Sequence, residues 1–282
     1  MTVDPAALQR QVSAPVVHRE TCPSTNDIAR AEARAGATDG TFVIADEQTA
    51  GRGRTGNAWA SPPGGVWSST VVRADIAASH VGRLTLAGGL AAADTAASFG
   101  VDARLKWPND VVVAAADGSD QSKLCGVLTE AVIDEVPVAG KPVGSVLPET
   151  DPANADMSFA VLGIGVNAAL DPDSLGDLDR AVTTLRAERG AVDPTAVAAT
   201  LHEHLRTWVS RVQTAGGMDD AVAAVRERSA TLGKRVRVTR FDDDPVTGTA
   251  VAIDDRGALV VERPDGARVH VTEGVCQRLR RA

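Results

Sequence analysis

The sequence predicts an α+β fold: a mixed sheet with helices packed on it, followed by a small β-barrel. Three observations carry this. Up to about residue 230, strand-like stretches, singly or in runs of two or three, are interspersed with helical ones. From Lys234 the texture changes to five short alternating runs, "KRVRVTRF", "VTGTAVAID", "GALVVER", "ARVHVT" and "CQRLR", with the turn signals "DDRG" and "PDG" among them. The length of 282 residues suits one large and one small domain, here divided near Thr231.

The elements follow in order. Residues 1–15 have no apolar signal core and read as a tail. "HRETCPSTNDIARAEARAGA" passes from a short strand into a helix, with Ser24 and Thr25 as natural caps. "TFVIADE" (Thr41 to Glu47) and "VWSSTVVR" (Val66 to Arg73) read as strands flanking a glycine-arginine loop. "SHVGRLTLAGGLAAADTAASFG" reads as a long helix from Ser79 to the stop at Gly100. "ARLKWPNDVVVA", "SKLCGVLTEAVI" and "MSFAVLGIGVN" are strand-like, and the Pro/Gly/Asp-rich insertion at 134–156 reads as a surface loop. Asp193 caps an amphipathic helix with Pro194 at its first position, and a second helix ends at Gly233.

Composition bounds the function. The net charge is −8, which argues against a broad basic face for DNA. No run approaches the ~20 apolar residues of a membrane span. Three cysteines, Cys22, Cys125 and Cys276, stand at no metal-binding spacing, and a reduced cytoplasmic protein is the simplest reading. Only four lysines remain, Lys106, Lys123, Lys141 and Lys234. An acidic, lysine-poor chain fits a high-salt cytoplasm, and a GC-rich genome gives the same bias; both stay open. Each surviving lysine is a candidate for work that arginine cannot do. His202 and His204 stand two apart on a helix and share no face for a metal, so no protein metal site is expected.

The loop "GRGRTG" has the G-x-G-x-x-G spacing of a dinucleotide-binding turn at Gly51, Gly53 and Gly56. That turn must open a helix, yet Pro62 and Pro63 stand where the helix would run. The glycines therefore join strand to strand and carry Arg52 and Arg54, either as a solvated hairpin or as a loop that closes on an anion. Its glycines make it costly to order, and its two arginines repel until an anion enters, so the free loop is expected to be mobile. In "KWPND", Lys106 ends a strand beside Trp107 and Asn109: charge for a phosphate, a plane for a ring and an amide for a polar edge, or a surface lysine beside a core tryptophan. In "KLCGVLTE", Gly126 lies three residues after Lys123, and a strand glycine often marks close approach of a ligand; Lys123 is then either a buried cation for a carboxylate or phosphate or a strand-end lysine in water. "GIGVN" suits tight packing or ligand contact equally.

Taken in order, "STN", "EQTAGRGRTGNAW", "KWPND", "KLCGVLTE" and "GIGVN" resemble the biotin protein ligases, in the form without an N-terminal DNA-binding domain. The resemblance covers roughly residues 18 to 230 and extends to the C-terminal barrel. It implies a class II synthetase-like mixed sheet (16–230), an SH3-like C-terminal domain (231–282), and biotin, ATP and Mg²⁺ as ligands. Biotin would be held by Ser24, Thr25 and Asn26, by Gln48 near the ureido ring, by Gly51, Arg52, Gly53 and Arg54 of the closing loop, and by Lys123 and Gly126. ATP would meet Arg52, Arg54, Lys106, Asn109, Lys123 and Asn167, with Trp59 on the adenine side and Lys106 and Asn109 facing the phosphates and Mg²⁺. Lys123, Arg54 and Lys106 would be catalytic. The implied activity is ATP-dependent formation of biotinyl-AMP, then transfer to a lysine on the biotin carboxyl carrier domain of a carboxylase. A homodimer through edge strands is also implied. Many family members carry arginine where this chain has Asn57, so one phosphate contact is missing or supplied elsewhere. The alternatives are a lipoate or octanoate ligase of the same fold, which would want an apolar slot where the polar triad stands, a DNA-binding repressor, for which residues before Ser24 leave no room, and a non-catalytic biotin-binding module.

Overall fold

The computed structural model describes every residue except 75, 116–120, 140–142, 152–154, 156, 177–180, 241–242 and 280–282. The expected tail is in part a helix, α1 (Pro5–Gln11). Asp4 caps it by accepting from the Ala7 amide, and Pro5 begins it where no amide hydrogen is needed. Leu8 is fully buried, with Val3 and Val12 beside it in the main core. A seven-residue helix with a single core leucine is too brief for helical periodicity to register in the sequence.

A crossover follows: β1 (Val16–Cys22), α2 (Thr25–Arg34), then β2 (Phe42–Gln48) parallel to β1. β3 (Val66–Val72) runs antiparallel to β2. After a 3₁₀ turn at Ala78–His80 comes α3 (Gly82–Ser98), which starts later than Ser79. "ARLKWPNDVVVA" is two strands, β4 (Ala103–Lys106) and β5 (Asp110–Ala114), reversed at Trp107 to Asn109. β6 (Gln121–Ile133) is the long central strand.

The insertion is not all loop. β7 (Val136–Ala139) folds back on β6 over Asp134 and Glu135, both at positive φ, and α4 (Val143–Val146) follows. Val138, Val143 and Ala155 pack with Ile133 and Ala78 into a small separate core. Pro137 hid this strand from a sequence reading; β7 pairs only with β6 among the described residues, where a proline is tolerated. Residues 140–142, 152–154 and 156 of the insertion lie outside the described residues.

β8 (Phe159–Val166), α5 (Leu185–Arg189), α6 (Pro194–Arg211) and α7 (Gly217–Arg228) complete the first unit. α7 stops short of Gly233 because Ser229 turns back, its hydroxyl accepting from the Thr231 and Leu232 amides. The strand order is β1-β2-β3-β8-β6-β5-β4, with β7 beside β6. Alternation divides the sheet's faces. Phe42, Ile44, Leu162 and Ile164 pack in the main core with α3 and α6, while Val43, Val71, Val132 and Val161 pack with Ala29 and Ala33 of α2. The same parity puts Trp67 and Ser69 of β3, Gly126 and Glu130 of β6, and Gly163 and Gly165 of β8 on the α2 face.

The C-terminal sheet is antiparallel: β9 (Arg235–Thr239), β10 (Val246–Ile253), β11 (Leu259–Glu262), β12 (Arg268–Val271) and β13 (Val275–Arg278), in the order β12-β11-β10-β9-β13. It is tied to the β4–β5 corner: the Trp107 amide donates to Thr231 Oγ1 at 3.0 Å, and its indole Nε1 to the Gly257 carbonyl at 3.1 Å.

Candidate active site

The first turn of α2 stands over the sheet with its side chains already oriented. The Thr25 amide and Oγ1 both donate to Gln48 Oε1, at 2.8 and 3.1 Å, and Gln48 Nε2 donates to Ser61 Oγ at 2.8 Å. Ser69 Oγ lies 2.7 Å from Thr25 Oγ1 and 2.6 Å from Asn26 Oδ1. Asn26 Nδ2 donates to Glu130 Oε1 at 3.0 Å, which fixes which way this amide faces, since a carboxylate only accepts. Ser24 makes no capping bond with its hydroxyl. Gly163 exists for Asn26: a Cβ there would lie 2.2 Å from Asn26 Oδ1.

Gly126 and Gly165 are direct partners across β6 and β8. Together they make a flat floor on which the Trp59 indole lies; a Cβ at Gly165 would come within 2.6 Å of Trp59 Nε1, and one at Gly126 within 3.0 Å of its ring. Trp59 also meets Trp67 edge-on, with ring centroids 6.4 Å apart. The Lys123 ammonium sits 4.6 Å from the centre of the Trp59 ring and 2.5 Å from Asp110 Oδ1. Lys123 is buried, and its backbone is held on both sides, its amide to the Ala181 carbonyl and its carbonyl to the Thr183 amide.

The glycine-arginine loop is a small hairpin. The Trp59 amide donates to the Gly51 carbonyl, Arg52 bridges Ala58, and the Gly53 amide donates to the Asn57 carbonyl around a 3₁₀ turn at Arg54–Gly56. Gly51 serves this hairpin, since a Cβ would lie 2.4 Å from the Trp59 carbonyl oxygen. The expected repulsion between the two arginines does not arise, because each has its own surroundings. Arg52 is bidentate to Asp27, with both bonds 2.7 Å, and lies 3.4 Å from Glu130. The same guanidinium holds the Asp27 carboxyl below the usual carboxylate range. Arg54 reaches the other way and donates to the Gly274 carbonyl at 3.3 Å. Burial lowers the Arg54 pKa, opposed by the nearby Glu273 and Asp110 charges.

These parts enclose a cavity of about 450 Å³. Its walls include Ser24, Thr25, Asn26 and Gln48 at one end, and the cations Arg52, Arg54, Lys106, Lys123 and Arg278 elsewhere. Asp110 is the one carboxylate on the wall among the described residues. Arg52 is met behind the wall by Asp27 and Glu130; the other four cations against one wall carboxylate, in a space that holds a small molecule, suit a ligand with several negative charges. Cys276 is also on the wall, but burial pushes its thiol up to about 11, so it stands protonated and is no nucleophile at neutral pH.

Most sequence-predicted residues meet at this cavity: Ser24, Thr25, Asn26, Gln48, Arg52, Gly53, Arg54, Trp59, Lys106, Asn109, Lys123 and Gly126 all line it. Gly51 and Asn167 do not. Asn167 is buried behind Lys123, where its Nδ2 donates to the carbonyls of Lys123 at 3.3 Å and Thr183 at 3.0 Å. Its Nδ2 clips the lysine's strand in place, while its Oδ1 is buried without a hydrogen-bond partner among the described residues. Asn109 donates its Nδ2 to the Val127 carbonyl at 2.8 Å. No residue beyond 230 was among the expected site residues, yet Gly274 to Arg278 form part of the wall. Sequence reasoning also missed Asp27, Ser69 and Glu130. Glu130 was within reach: it closes "KLCGVLTE", two strand repeats beyond Gly126 and on the same face.

Comparison with known proteins bears on the family and the fold. The model of the Biotin/lipoate A/B protein ligase family matches residues 19–144, and that of the Biotin protein ligase C terminal domain matches residues 231–279. A biotin–[acetyl-CoA-carboxylase] ligase of Mycobacterium tuberculosis is 32% identical over 269 residues, covering 91% of this chain and 86% of that protein. The enzyme of the same name from Paracoccus denitrificans is 30% identical, covering 83% and 89%. The structure of biotin protein ligase from Aquifex aeolicus in complex with biotin and ATP superposes with a TM-score of 0.69 at 20% identity, over 94% and 99% of the two chains, and speaks for the fold. Sequence, domain order and fold therefore agree, and the chain belongs to the biotin protein ligase family.

Proposed function

We propose that the cavity joins biotin to AMP at the expense of ATP and then hands the biotinyl group to a lysine of a biotin carboxyl carrier domain. One observation carries the reading: a preoriented polar set (Thr25, Asn26, Gln48) and a cationic wall share one cavity, with the glycine floor and Trp59 between them. The polar set suits a ureido ring, which both donates and accepts hydrogen bonds. An apolar bicycle suits the Trp59 indole, which itself covers the glycine floor. The biotin carboxylate would then point toward Lys123.

A carboxylate is a poor acyl donor until its oxygen is joined to a good leaving group. In the first step a biotin carboxylate oxygen attacks the α-phosphorus, an O–P bond forms, and the bond to pyrophosphate breaks with its electron pair on pyrophosphate. Lys123, Lys106 and Arg54 are assigned to neutralise the charge that develops, worth most in a site closed to water. In the second step a neutral lysine amine attacks the acyl carbon, a C–N bond forms, the C–O bond to AMP breaks with its electron pair on the AMP phosphate, and the nitrogen gives up one proton to solvent. The loop would shield the mixed anhydride from water meanwhile.

Mg²⁺ fits the same corner. It takes oxygen ligands and is usually held by one or two carboxylates together with substrate phosphates. Asp110 and Asn109 supply protein oxygens beside Lys106, and the ion would draw charge from the triphosphate. A homodimer through a sheet edge, a cytoplasmic location and independence from DNA belong to the same proposal. Among the described residues no helix is long and apolar enough to cross a membrane.

The test is mass spectrometry of the protein with ATP and either biotin or lipoate. Biotinyl-AMP is expected with biotin and no lipoyl-AMP with lipoate; the reverse, or neither, overturns the reading.

A further inference from the structure

Arg52 lies in the cavity wall, but its charge is already met. Two guanidinium groups and two carboxylates interleave between α2, the loop and β6. Arg52 is bidentate to Asp27 at 2.7 Å and lies 3.4 Å from Glu130 Oε1. Arg30 lies 2.5 Å from Asp27 Oδ1 and 2.6 Å from Glu130 Oε2. The four formal charges sum to zero with no ligand present. Glu130 is 3% exposed, so it depends on these partners in place of water. Were Arg52 to swing to a substrate anion, two carboxylates would be left sharing Arg30.

We propose that Asp27 and Glu130 are positioning residues that pin the glycine-arginine loop through Arg52, so that Arg52 acts by holding the loop and not on the substrate anion. The loop then has two anchors: Arg52 to α2 and β6 on one side, and Arg54 to the Gly274 carbonyl of the C-terminal unit on the other. Glu130 does a second job with the same atom. Its Oε1 receives both Asn26 Nδ2 and Arg52. The amide assigned to the ring end of the ligand and the cation that holds the loop thus share one acceptor. An Asn26 amide steadied by a bound ring keeps that acceptor in place for Arg52, so an occupied ring end tightens the loop.

The inference rests on the proposed function for its ligand, so the experiment has one arm that needs no ligand. In that arm, limited trypsin digestion of the ligand-free protein follows cleavage after Arg54, a bond present in every variant. Asp27→Asn and Arg52→Gln should each speed this cut about threefold to tenfold, in keeping with a half-exposed bidentate pair, and the double variant should be no faster than either. In the second arm, biotinyl-AMP is formed in place and its release is timed after dilution. Asp27→Asn should release it faster by a similar factor, again without further increase in the double variant. If Asp27 merely competes with the substrate for Arg52, Asp27→Asn frees the arginine and slows release; that sign, or additive effects in either arm, overturns the proposal. Failure of the unaltered protein to make biotinyl-AMP would refute the function and leave the trypsin arm to decide the anchor.

Discussion

Lys123 is the residue on which the chemistry turns, and its surroundings say why a lysine stands there. The ammonium is a compact point charge that lies over the Trp59 ring and beside Asp110 at once. Lys123→Ala should lower biotinyl-AMP formation by ~10²–10³ while the protein still unfolds cooperatively; near-normal adenylation in a folded variant removes the assignment. The floor beneath makes a second prediction. A methyl group at Gly165 would sit 2.6 Å from Trp59 Nε1, so Gly165→Ala must displace the indole. The variant should stay folded, because a side chain and not backbone has to give, but its KM for biotin should rise about tenfold, the factor set by ~1.4 kcal/mol of lost contact. At this scale the sequence revealed that Gly126 allows a close approach. It did not reveal what approaches: Trp59 and Asn26 arrive from other elements, and no local pattern names a partner.

Helices and strands were legible where a cap or a period marked them. Asp193 and Pro194 announce α6, and the helix begins at Pro194 with the Asp193 side chain accepting from Thr195. α1 and β7 were not legible, because each is too short for its period to stand out and gains its stability from what it packs on. α6 carries a prediction of its own. His202 is 2% exposed, packs against Phe42, and makes no hydrogen bond with either ring nitrogen among the described residues. Burial lowers its pKa from 6.5 to about 4. The unfolded chain therefore takes up this proton first as pH falls, so the stability is fully present above pH 6.5 and is lost on the way down to about 4. By pH 5 the loss should be about 2 kcal/mol. Urea unfolding at pH 7.5 and pH 5 should show that drop, and His202→Leu should remove it; an unchanged slope in the variant would place the acid sensitivity elsewhere.

Across the whole molecule, the change from long periods to short alternating runs marked where the second unit begins, because it reflects local chain chemistry. That both units wall one cavity could not be read, since Gly274 to Arg278 are brought to it by contacts between distant segments, among them those of Trp107 with Thr231 and Gly257 and of Arg83 with Asp255. A chain ending near Thr231 loses that wall and the Arg54 anchor together. It should still bind biotin, whose assigned ring-end residues all lie on the first unit, but form and transfer the adenylate about tenfold more slowly or worse, as ~1.4 kcal/mol of lost transition-state contact implies. Full-rate transfer by the truncated chain would contradict a shared site. The edge-on meeting of Trp59 and Trp67 has an optical consequence. The sequence has four tryptophans and no tyrosine, so its near-ultraviolet circular dichroism is dominated by indole. Trp67, Trp107 and Trp208 are buried, and Trp59 alone rides on the glycine-arginine loop. Two indoles 6.4 Å apart and inclined at 78° couple as transition dipoles, with a strength that changes steeply with separation and angle. The chain thus contains its own spectroscopic ruler: displacement of the loop alters a tryptophan couplet, and loop closure can be timed in stopped flow without attaching a dye.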